Sequence, residues 1–167
     1  SSWFTTLGDK LVLNTRAGFG FLGSYNRNIG PAPFERFNLG GSGLSTGGQA
    51  GFLLGREIIA LRGYDDESVS LSTGGTIISK YTAELRYPFS LNPSASIYGL
   101  TFIEAGNTWN NFKDFDPFDV KRSAGLGVRV FLPMFGMLGL DWGYRFDDTP
   151  EFGFQSRPHQ IHFTIGA

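Results

Sequence analysis

The chain has no cysteine, so disulfide frameworks and thiolate metal sites are excluded within it. It has almost no net charge: 14 basic against 15 acidic residues gives −1, which leaves no electrostatic footprint for nucleic acid. Histidine occurs only as His159 and His162. Residues three apart on a strand point to opposite faces, so they make a poor metal pair. No run approaches the roughly 18 consecutive apolar residues of a transmembrane helix. No basic-then-apolar leader opens the sequence. Neither absence speaks against a membrane barrel, whose strands alternate and average to near-zero hydropathy. A nucleophile elbow, a phosphate loop and a supported Ser-His-Asp order are all missing, so nothing points to an enzyme or a cofactor.

Glycine and aromatic residues are abundant, with 24 Gly and 17 Phe. Together they indicate bent sheet more than flexible linker. Alternation is the dominant pattern. In 136–147, Leu138, Leu140, Trp142, Tyr144 and Phe146 oppose Gly139, Asp141, Gly143 and Arg145. In 123–132, Ala124, Leu126, Val128 and Val130 oppose Gly125, Gly127 and Arg129. In 80–89, Tyr81, Ala83, Leu85 and Tyr87 oppose Lys80, Thr82, Glu84 and Arg86. In 9–22, Leu11, Leu13, Phe19 and Phe21 oppose Asn14, Arg16, Gly18 and Gly20. Ile161, Phe163 and Ile165 oppose Gln160, His162 and Thr164. A sixth strand at 96–109 is less clean, because Phe102 shares a parity with Glu104. A period of two over so many segments means β-structure with one apolar face.

The segments have the length of a tilted membrane-spanning strand. Short turns at 90–95 and 133–136 alternate with long polar loops at 110–122 and 147–158, the arrangement of outer-membrane barrels. The polar face carries glycine and single charges rather than a dense Lys/Glu/Thr surface, which favours polar-inward over a soluble β-sandwich or lipocalin-like barrel. Trp3, Trp109, Trp142, Tyr87 and Tyr144 are candidates for interfacial aromatic girdles. A stretch from 23 to about 76, rich in Gly, Ser and Pro, breaks the pattern and is too long for an ordinary loop. Its apolar patches, 34–39 and 52–54, imply that it packs against something.

Within that stretch lies Leu61-Arg62-Gly63-Tyr64. It resembles the (V/I/L)-R-G-(F/Y) motif of the BamA-type outer-membrane protein assembly factors. Further blocks resemble the same family in the same order: Phe34 to Gly41, Tyr81 to Phe89, Phe102 to Trp109, Ser123 to Arg129 and Ile161 to Gly166. The resemblance implies a sixteen-strand barrel preceded by periplasmic repeats. It implies a long loop folded into the lumen, whose Arg62 pairs with Glu84 and Glu104. It also implies a seam at the last strand, marked by Ile161, Phe163 and Ile165, where client strands are templated. Partners would be membrane lipid, client outer-membrane proteins and other assembly subunits, in the outer membrane of a Gram-negative bacterium. Gly63 suits a tight turn, and Tyr64 can pack its ring while its hydroxyl finds a partner.

The fold class expected is therefore all-β: residues 1–167 form a segment of an antiparallel transmembrane β-barrel, with a motif-bearing loop at about 23–76. The chain departs from the family in ending on Ala167 rather than an aromatic residue and in lacking the first strands, so it reads as a C-terminal piece of a longer protein. If it closes alone, 34–40 and 52–60 would supply two more strands for a small eight-strand barrel, whose interior would exclude the loop. Two other functions stay open: a polypeptide-secretion transporter of the same superfamily, and the barrel anchor of a patatin-like lipase. Asp114, Asp116 and Asp119 lack the EF-hand spacing and read as a solvated acidic loop, as do Asp65, Asp66 and Glu67.

Overall fold

The structure, a computed structural model, describes residues 1–23, 36–42, 58–70, 74–92, 94–134, 136–149 and 157–165. Parts of the glycine-rich stretch, including 34–35, 43–57 and 71–73, lie outside the described residues, as do 150–156 and 166–167. The alternating segments form β1 (Ser2–Thr6), β2 (Val12–Phe21), β5 (Ile77–Asn92), β6 (Ala95–Trp109), β7 (Lys121–Leu132), β8 (Gly136–Arg145) and β9 (His159–Ile165). These build one sheet, antiparallel throughout, in the order β1-β2-β5-β6-β7-β8-β9. Between β2 and β5 come two short strands, β3 (Asn38–Leu39) and β4 (Ile58–Ile59), which pair in parallel with each other and not with the wall. Short turns join β1 to β2, β5 to β6 and β7 to β8 at one rim, and the long connections lie at the other.

The distribution of polarity across the wall is inverted relative to a soluble protein. Leu140 is 53% exposed while its neighbour Asp141 is fully buried. Leu126, Trp142, Ile161 and Phe163 share the exposed face, and Asn14, Glu84 and Glu104 share the buried one. The apolar face meets lipid and the polar face lines a lumen. Leu140→Arg is therefore expected to destabilise the barrel by about 2–4 kcal/mol near the bilayer midplane. Urea unfolding in vesicles checks this, and an unchanged midpoint would contradict the orientation.

Three expectations are corrected. Among the described residues the wall does not close into an eight-strand barrel, since β1 and β9 are opposite edges. The described parts of 34–40 and 52–60 do not join the wall either. Gly40 and Gly41 take positive φ (141° and 67°) and end the extended run after Leu39, whose side chain is buried inside the sheet with Leu61, Tyr64, Val69 and Ile78. Trp109 is no girdle residue: it is buried, its ring centroid 4.9 Å from that of Phe115. Trp3, Trp142, Tyr87 and Tyr144 do lie exposed.

Candidate functional site

The described parts of the loop between β2 and β5 fold back across the inward, polar face of the wall. Its apolar residues hold it there: Leu39, Leu61, Tyr64 and Val69 form one buried cluster with Ile78 of β5, and Phe37 and Ile59 pack against it. Leu61 bridges to Gly41, which carries the chain into the motif. Gly63 follows with φ 91°, a left-handed conformation that glycine adopts without strain. This turn aims Arg62 at the wall.

The Arg62 guanidinium reaches Glu84 Oε1 at 2.7 Å and Glu104 Oε1 at 2.8 Å, with Asp141 Oδ1 at 3.7 Å. The Arg62 backbone N–H donates to the other Glu104 oxygen at 2.8 Å. The guanidinium also stacks on Phe102, 3.7 Å from the ring centroid, where a desolvated cation is attracted by the ring face. The irregular parity of β6 thus has a physical role: Phe102 points into the lumen beside Glu104 as a platform for the arginine. In the sequence Phe102 stood as a break in the pattern and as the start of a family-like block, not as a partner of Arg62; an aromatic residue one strand-repeat from a lumen carboxylate is the signal that could have found it.

Each wall carboxylate has a second cation of its own. Arg86 holds Glu84 at 2.5 Å, Lys80 lies 3.4 Å from Glu104, and Arg129 grips Asp141 through two bonds of 2.8 and 2.6 Å. Such paired geometry offsets the cost of burying the charges. Lys80 also donates to the Ala60 carbonyl, tying the loop to β5 a second time.

The motif extends beyond β5 and β6. The Tyr64 hydroxyl donates to the Arg122 carbonyl of β7 at 2.8 Å. Burial first, and the Asp147 carboxylate second, hold that hydroxyl's pKa above its ordinary value. The Gly63 N–H donates to His162 Nε2 on β9 at 2.9 Å, which requires that nitrogen to be unprotonated. Gln160, also on β9, donates to Asp65 Oδ1 at 2.6 Å. Asp65 is thus engaged rather than merely solvated. The sequence placed His162 on the polar face and nothing in it marked this contact, because the partner is a backbone amide 99 residues away.

The loop therefore touches every wall strand from β5 to β9. Of the expected site residues, the structure brings Leu61, Arg62, Gly63, Tyr64, Glu84 and Glu104 into one cluster. It leaves Ile161, Phe163 and Ile165 facing outward on β9, which is paired with β8 on one side from Leu138↔Ile165 to Tyr144↔His159. The other side of β9 has no pairing strand among the described residues. The sequence profile of the Omp85 superfamily domain matches residues 1–167. The chain belongs to the Omp85 superfamily. This is a β-barrel family of outer membranes whose members insert proteins into that membrane or secrete them across it. No curated protein matches the chain.

Proposed function

We propose that this Omp85 chain is the closing part of an outer-membrane barrel that assembles other outer-membrane β-barrel proteins, as the BamA-type factors do. The observation that carries the reading is β9, which among the described residues pairs on one side only and is braced from the lumen by the motif loop through His162 and Gln160. Unpaired backbone groups are costly in lipid, so such an edge calls for a partner strand. A client strand can satisfy it by β-augmentation, with backbone hydrogen bonds supplying affinity and little side-chain specificity. That suits a machine with many clients. The work is noncovalent and requires no catalytic residue or cofactor. The loop sets the geometry of the template by fixing two inward side chains of β9 to a loop that is itself locked to β5 and β6.

The test is site-specific photocrosslinking in cells. Probes replacing Ile161 or Phe163 are expected to capture client barrel proteins through their terminal strands during assembly. Probes at the lumen positions Arg129 and Thr164 should capture no client. Adducts from the lumen positions alone, to one exported polypeptide, would overturn the proposal in favour of secretion.

A further inference from the structure

The connection between β6 and β7 does not stand out into solvent. Phe115 packs edge-on against Phe19 of β2 at 5.6 Å and against Trp109 of β6 at 4.9 Å. Phe112 packs on Phe21 of β2 at 5.9 Å. Phe19 and Phe21 belong to the lipid-facing parity of β2, and β5 runs between β2 and β6, so the loop crosses β5 on the outside of the wall. Burial agrees. Ile77 and Ser79 lie on the outward parity of β5, where Tyr81 is exposed, yet they are 1% and 0% exposed. Asn107, also outward on β6, fixes the returning end of the loop by donating to the Asp119 carbonyl at 2.7 Å.

What this folded-over loop presents is apolar. Phe118 is 90% exposed and Phe112 is 64% exposed, and beside them lie the exposed rings of Phe19 and Phe21. Phenylalanines recur every third residue, at 112, 115 and 118, with Asp114 and Asp116 between them and Asp119 just after. The carboxylates cannot enter hydrocarbon, which limits how deep the rings can go. The aromatic patch is continuous with the barrel's lipid-facing surface and lies at the rim of the long loops, the outer-leaflet side of an outer-membrane barrel.

We infer that residues 110–119 form a lipid-interface anchor: the loop lies on the wall with Phe112 and Phe118 inserted at the headgroup–acyl boundary of the outer leaflet. Phe115 is the hinge pin, occupied by protein contacts, and the other two rings are the lipid-contacting groups. An amphipathic surface segment of this kind buries its apolar side about 5–10 Å into the boundary region. The anchor covers the β2–β5–β6 part of the wall, away from β9, so it holds that part at a fixed depth while the β9 edge stays clear. It does not depend on what the barrel assembles or passes.

The experiment uses the absence of cysteine from the chain. Phe112→Cys and Phe118→Cys are each labelled with an environment-sensitive fluorophore, and the protein is reconstituted in phosphatidylcholine–phosphatidylglycerol vesicles. Asp148→Cys, whose side chain is fully exposed on the next long loop, is the aqueous reference. Lipid spin-labelled near the headgroup should quench both Phe-site labels several-fold more than the label at 148, and aqueous iodide should quench them less. Equal quenching at either Phe site and at 148 overturns the proposal, whether the patch is then bare or kept for a protein partner. Both sites are exposed, so the substitutions leave the Phe115–Trp109 contact and the fold in place.

Discussion

Arg62→Ala is expected to undock the motif loop while leaving the barrel wall folded. The wall does not need this arginine for its own charge balance. With Arg62 gone, Glu84 keeps Arg86, Glu104 keeps Lys80 and Asp141 keeps Arg129. The loop, in contrast, loses three salt bridges and its stacking on Phe102. Each charge-assisted hydrogen bond lost is worth about 1.5–3 kcal/mol, since no carboxylate is left unpaired. The equilibrium constant for docking should fall roughly tenfold or more. Amide hydrogen exchange checks both halves of the statement: residues 58–70 should lose protection, while β6 to β8 keep theirs. Equal loss of protection in the wall would show that Arg62 supports the barrel itself. Arg62→Lys should restore little, because an ammonium supplies neither the planar fork shared between two glutamates nor the flat face that lies on the ring.

Gly143→Val is expected to have a larger effect without touching any charge. A Cβ at position 143 would lie 2.6 Å from the Gly63 nitrogen and 2.7 Å from its Cα. Both are backbone atoms, so no rotamer change relieves the overlap. Gly143 itself sits in ordinary strand conformation on β8, where valine is a favoured residue, so the wall should accept it. The loop must withdraw as a unit, losing the Arg62 salt bridges, the Gly63–His162 bond and the Tyr64–Arg122 bond together. Trypsin gives the readout. Arg62 is buried in the docked state and should become a cleavage site in the variant, with the barrel otherwise intact. An Arg62 still protected in Gly143→Val would mean that the loop is held elsewhere.

Much of the wall was legible in the sequence because a period of two survives any tertiary context. The residues from Leu138 to Phe146, and those from Ala124 to Val130, declare one face apolar and the other small or charged. The inner short strands were not legible. Asn38–Leu39 and Ile58–Ile59 are two residues each, too short to show any period. Trp109 misled for a different reason. Its parity is outward, as an aromatic girdle requires, but the loop that covers it is remote from any alternating pattern. His162 and Asp65 were hidden because their partners are a backbone amide and a distant amide side chain, which leave no mark on composition. Arg62 was legible only through resemblance, since one arginine in a glycine-rich loop says nothing by itself about two glutamates on separate strands.

The sequence separation of the loop's contacts sets an order on folding. Arg62 lies 42 residues before Glu104, and Gly63 lies 99 residues before His162. Contacts this distant form late, because the intervening chain must first be placed. The motif emerges during synthesis before β5 to β9, yet it has no complete seat until β9 is laid beside β8. Seating of the loop thus reports that β9 is in register: a one-residue slip would turn His162 outward and leave the Gly63 amide without its acceptor. The motif is a latch that closes fully only on a β9 laid in register beside β8.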